Sequence, residues 1–131
     1  EELGVYVYGM SYHSQEIREN IYDEVKPIDK KGFHVLLAHG GDEKHIPMDI
    51  AAIAGAGFDY IALGHIHKPQ TLIKDMAAYA GALEPIDRND LGPHGYVEGR
   101  YEEGRVKTNF VPFACRSYQQ LLPPSFLWKR C

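Results

Sequence analysis

Two hydrophobic periods alternate along the first half of the chain. Leu3-Gly4-Val5-Tyr6-Val7-Tyr8 is β-branched and aromatic and stops at Gly9, the pattern of a strand. Ile17, Ile21 and Val25 then recur at every fourth position, with Ser14 placed as an N-cap, Glu16 in the first turn and Pro27 beyond, which predicts a helix. Phe33-His34-Val35-Leu36-Leu37-Ala38 is almost continuously apolar at strand length, which predicts a central strand covered on both faces. It ends at His39-Gly40-Gly41. A short helix is expected next, with Pro47 near its start, Ile46, Ile50 and Ile53 on one side, and Gly55 or Gly57 to cap it. Phe58 to Leu63 reads as the following strand. Strand, helix and strand in so short a span predict a right-handed crossover between parallel neighbours.

Beyond Gly64 the pattern changes. Thr71 to Ala80 reads as two short strands, and Tyr96–Tyr101 with Val106–Val111 as a hairpin turning at Glu103-Gly104. Between them, Glu84 to His94 is turn-rich and predicts a surface loop. Pro123-Pro124 interrupts any regular element ahead of Phe126, Leu127 and Trp128, so residues 116–131 read as an irregular tail. The alternative is an aromatic peptide that docks on a partner.

Length and composition narrow the class. A chain of 131 residues makes one domain. Its 44% hydrophobic and 24% charged residues are ordinary for a soluble α/β protein, with no apolar run near the roughly 18 residues of a membrane span. A net charge of -4 provides no basic field, so phosphate binding would need metal ions or a local patch. Cys115 and Cys131 are too few and too distant for a C-x-x-C motif, which fits a reduced cytoplasm. The chain opens at Glu1-Glu2-Leu3 with neither a Met nor a signal segment, and this reads as a start inside a larger protein.

The candidate chemistry lies in three histidines. His39 and His65 each fall just past a buried strand and beside a glycine, Gly40 and Gly64, at the sheet edge where α/β proteins bind ligands. His67 lies two positions on, pointing the same way if the backbone is extended. Imidazoles so gathered suit zinc, manganese or iron. Three neutral rings do not neutralise two dications, and no carboxylate has a comparable place. Asp42 reads as part of the loop into the next helix. His13, His34, His45 and His94 read as satisfied or solvated side chains.

Ala38-His39-Gly40-Gly41 and Gly64-His65-Ile66-His67-Lys68-Pro69-Gln70 resemble the last two motifs of the calcineurin-like metallophosphoesterases. The segments Tyr79-Ala80-Gly81-Ala82-Leu83-Glu84-Pro85 and Gly95-Tyr96-Val97-Glu98 resemble the SbcD-type DNA repair exonuclease branch, and the likeness runs from about Leu3 to Phe113. The resemblance implies an α/β fold, the second half of a four-layer α-β-β-α sandwich. Residues 1–115 would form a partial metallophosphoesterase domain, its C-terminal half. His39 and His65 would ligate one metal and His67 the other. Two divalent ions about 4 Å apart, manganese in this branch, would clamp a phosphodiester and activate a water.

The family's remaining motifs, D-x-H, G-D-x-x-D and G-N-H-[DE], do not occur. Gly41-Asp42-Glu43-Lys44-His45 imitates G-D but ends in His where the second aspartate belongs. No catalytic residue is assigned, because the family's proton-handling histidine lies in that upstream half. The expectation is a fragment of a metal-dependent DNA exonuclease or phosphodiesterase, inactive alone. A phosphoesterase of small phosphate esters and a non-catalytic scaffold are the alternatives. The implied partners are DNA, the missing N-terminal half and a coiled-coil ATPase subunit, with no membrane. Half a sandwich would expose apolar faces, which predicts self-association.

Overall fold

Short β-branched and aromatic runs supply most of the regular structure in the computed structural model, which describes residues 4–29 and 31–121. Five strands form one sheet: β1 (Val5–Tyr8), β2 (Phe33–His39), β3 (Tyr60–Gly64), β4 (Gln70–Ile73) and β5 (Ala77–Tyr79). Their order is β1-β2-β3-β5-β4, with β4 antiparallel to β5 and every other pairing parallel. A separate antiparallel ribbon joins β6 (Gly95–Glu102) to β7 (Arg105–Pro112). With the short helix α1 (Ile50–Gly55), this is the predicted α/β class built on a mainly parallel sheet.

β2 and β3 are parallel neighbours as expected, in a register that sets Leu36 beside Ile61 and His39 beside Gly64. The connecting helix is shorter than its apolar spacing suggests. Asp49 caps it, its carboxylate accepting from the Ala51 and Ala52 amides, and Gly57 follows its end at φ 104°. Pro47 and Ile46 precede the cap. Ile46 has φ 49° and is fully buried, so it fills the core rather than extending the helix.

Residues 14–25 do not form the predicted helix. The Ile17 amide donates to the Lys44 carbonyl at 3.0 Å, and the Ile46 amide donates to the Ile17 carbonyl at 2.7 Å, a bridge that occupies the groups a helix would need. Asn20 and Asp23 then close a tight turn, with the Asp23 amide donating to the Asn20 carbonyl and Asn20 Nδ2 to Asp23 Oδ2. Asn, Asp and β-branched residues are weak helix formers, so burial of Ile17 and Tyr22 decides the path. The four-residue spacing is met by a folded-over segment.

The second correction concerns β2. His34, Leu36 and Ala38 are buried, whereas Leu37 on the opposite face is 57% exposed. Its neighbours on β1 are equally bare, Val5 at 49% and Val7 at 64%. One face of the sheet packs against Ile17, Tyr22, Ile46, Ile53 and Phe58 and forms the core with Leu36, Ile61, Leu63 and Tyr79. The ribbon reaches the other face at Phe33, whose ring lies 4.6 Å from that of Tyr101. Covering on both faces, which the apolar run predicts, is thus met only in part among the described residues: the connecting segments fold to one side, and the ribbon touches the other at Phe33 while Val5, Val7 and Leu37 stay exposed.

The hairpin turns at Glu103 and Gly104 as expected, both at positive φ. Asp75, in the β4–β5 turn, accepts from the amide and hydroxyl of Thr108 at 2.7 and 3.1 Å and ties the ribbon to the sheet. The expected strands within Thr71–Ala80 and the loop of Glu84–His94 are present as β4, β5 and an irregular connection. Leu3, Cys131 and the Pro123-Pro124 to Trp128 segment lie outside the described residues. Among those described, no helix is long and apolar enough to cross a membrane.

Candidate metal centre

The C-terminal ends of β2 and β3 build the site. His39 is the last residue of β2, and its registered neighbour Gly64 leaves room for the imidazole: a Cβ there would stand 3.1 Å from His39 Nδ1. His65 follows at φ 100°, a conformation costly for a residue with a side chain. These two turns bring the His39 and His65 rings to 5.3 Å between centroids.

The loop after His39 comes back over them. Gly41 has φ 115°, and a Cβ there would collide with the Tyr79 hydroxyl, which itself donates to the Gly40 carbonyl at 3.0 Å. The Gly41 amide faces the carbonyls of His45 and Ile46 at 2.8 and 3.0 Å, closing the loop tightly. Asp42 Oδ1 accepts from the amides of Lys44 and His45, so its carboxylate is fixed from its own backbone. That carboxylate meets His65 Nε2 at 2.6 Å and His45 Nδ1 at 2.9 Å. The hydrogen bond from His65, then those from the Lys44 amide and the His45 ring, hold the Asp42 carboxyl well below the usual carboxylate range.

Loss of surrounding water, then the neighbouring His65 and His45, lowers the pKa of His39. A lowered value favours the neutral ring, the form that binds metal. His67 stands outside the Asp42–His45–His65 cluster, with Nδ1 3.4 Å from Asp90 Oδ2. Asp90 is lowered in pKa first by the Ile86 amide and then by the Asp87 amide. The structure therefore brings His39 and His65 together and gives His67 a carboxylate neighbour of its own.

Two residues read as peripheral sit at the centre. Asp42 is in the loop as expected, yet it is the carboxylate on His65. His45 is not merely solvated: its ring centroid lies 4.6 Å from that of His65. The D-x-x-H spacing of Asp42 and His45 was the available signal. Only a turn with Gly40 and Gly41 at positive φ folds both back over the strand ends. His34 and His94 are buried and hydrogen-bonded as expected. Tyr8 donates to His34 Nδ1 and His34 Nε2 to the Lys31 carbonyl, while the His94 nitrogens face the Ala82 and Asp90 carbonyls. His13 is exposed, also as expected.

An open cleft of about 480 Å³ adjoins His39 and Gly64 and is bounded by Met10, Tyr22 and Leu37. One carboxylate and two imidazoles, with ligand atoms all within 4.8 Å of one another, fit a single divalent ion. The H-G-G and G-H-x-H turns, set on adjacent parallel strands, resemble those of the calcineurin-like metallophosphoesterases, and the chain is similar to a metallophosphoesterase and to a DNA repair protein. Two relatives carry the likeness. The chain is 29% identical over 112 residues, 79% of its length, to an uncharacterized metallophosphoesterase, YhaO, of Bacillus subtilis. It is 31% identical over 94 residues, 66% of its length, to the DNA double-strand break repair protein Mre11 of Methanocaldococcus jannaschii. The matches span only 28% and 26% of those relatives. No family model matches the chain.

Proposed function

We propose that the chain is the C-terminal half of the catalytic domain of a manganese-dependent DNA exonuclease, which hydrolyses phosphodiester bonds with two divalent ions. Residues 1–115 belong to that half-domain and 116–131 to an irregular tail. The observation that supports it most is the meeting of His39 and His65 at the ends of adjacent parallel strands, in a chain similar to a metallophosphoesterase and a DNA repair protein. On this reading His39 and His65 hold one ion and His67 the other. When bound, such ions supply the positive charge that stabilises a phosphodiester under attack and activates water.

The chain's own residues prepare the ligands. Asp42 accepts from His65 Nε2 and so sets which ring nitrogen carries the proton. Asp90 places a carboxylate oxygen 3.4 Å from His67 Nδ1. A bridging carboxylate and a proton-handling histidine belong to an upstream half that would pair with the bare sheet face, so this chain alone is inactive. DNA is the substrate of the whole protein, and a coiled-coil ATPase a partner of it.

The test compares this chain with a protein extended upstream of Glu1 through the D-x-H, G-D-x-x-D and G-N-H-[DE] motifs. With manganese, the extended protein degrades linear DNA and loses about 100-fold or more on His65→Gln, while the 131-residue chain releases no nucleotide. Turnover by the purified short chain would sink the claim of inactivity. Cleavage of a chromogenic phosphodiester but not DNA by the extended protein would shift the assignment to small phosphate esters.

A further inference from the structure

We infer that this chain by itself holds one divalent ion of the zinc class on Asp42, His45 and His65, using a single member of the histidine trio at the strand edge. The inference deepens the nuclease reading and shares with it only the role of His65. The ligand atoms of the three residues lie within 4.8 Å of one another, so one ion can reach all three after small side-chain adjustments. They also come from two independent pieces of backbone, the loop after β2 and the residue after β3. Two imidazoles and a carboxylate are the donor set of open zinc sites, which leave a position for water. The carboxylate offsets half of the ion's charge.

Two of the donors are arranged in advance. Asp42 is pinned by the amides of Lys44 and His45, and the Gly41 amide, facing the His45 and Ile46 carbonyls, holds the loop that carries them. His65 is brought to the carboxylate at 2.6 Å. Asp42, which orients His65 in the nuclease reading, thus becomes a ligand when no upstream half supplies carboxylates. His39 neighbours the cluster at 5.3 Å between ring centroids but is not a member of it. That difference separates the two readings experimentally.

The 131-residue chain is titrated with zinc chloride by calorimetry and with cobalt chloride by visible absorption. One ion per chain is expected, with cobalt bands of four- or five-coordinate intensity. Asp42→Asn, His45→Gln and His65→Gln should each weaken binding about tenfold or more, His39→Gln less than about threefold, and His13→Gln not at all. Asp42→Asn keeps a carbonyl oxygen for the Lys44 and His45 amides, and circular dichroism of every variant separates ligand loss from unfolding. If His39→Gln abolishes binding and His45→Gln does not, the ion sits on the His39–His65 pair; the inference then fails while the nuclease reading stands. Absence of zinc binding up to about 1 mM overturns the inference and leaves untouched a nuclease site that needs donors from outside this chain.

Discussion

The two faces of the five-stranded sheet are built from the same strands and have opposite fates. On one, Leu36 and Ile61 are fully buried under Ile17, Tyr22, Ile46 and Ile53. On the other, Val5, Val7 and Leu37 stand about half or more in water, although they are as apolar as the residues behind them. A run of apolar residues therefore records how many faces a strand is made to bury, whereas the cover itself depends on which segments are at hand. The bare face is the side on which the nuclease proposal seats an upstream half-domain.

That contrast can be broken or sharpened by substitution. Leu36→Ala or Ile61→Ala should cost about 2–5 kcal/mol in urea denaturation, because each empties a fully buried position. A cost under about 1 kcal/mol would mean that the closed face is not the core. Asp49→Ala should cost about 1 kcal/mol by loosening the cap of α1, whose Ile53 seals that same face; thermal unfolding measures it. Paired Val7→Thr and Leu37→Thr, by contrast, should change stability by no more than about 0.5 kcal/mol per site and reduce self-association in light scattering. Losing several kcal/mol there would show that the face is covered after all.

The smallest effect is expected at the ribbon's tether. The Thr108 amide, first among its causes, lowers the pKa of Asp75, so the charged carboxylate is favoured by folding. Its contribution is complete above the ordinary aspartate value of about 3.9 and is lost as pH falls through the lowered folded value. Hydrogen exchange at Thr108 should therefore lose protection in that acid window, and Asp75→Asn should remove the pH dependence. An unchanged profile in Asp75→Asn would assign the tether to other contacts.

What could be read from the residues follows the range of the interactions involved. The parallel β2–β3 pair, the β4 and β5 strands and the Glu103-Gly104 hairpin depend on local alternation and turn chemistry, and all are present. The convergence of His39 and His65 follows from that pairing. The helix predicted on Ile17, Ile21 and Val25 fails because Ile17 spends its amide and carbonyl on a loop distant in sequence. Asp42 and His45 read as peripheral for a related reason. Their placement depends on successive positive-φ residues at Gly40 and Gly41 and on Ile46, and a one-dimensional pattern carries no record of where such a turn points.

The Tyr79 hydroxyl, lodged beneath Gly40 and Gly41, has a further consequence. It acts as a spacer between β5 and the donor loop, so the height of Asp42 above the sheet is gauged by the length of one phenol ring. Donor geometry is thereby entrusted to a strand that contributes no donor. A substitution at position 79 would shift the Asp42–His45–His65 cluster from below while leaving all three side chains intact.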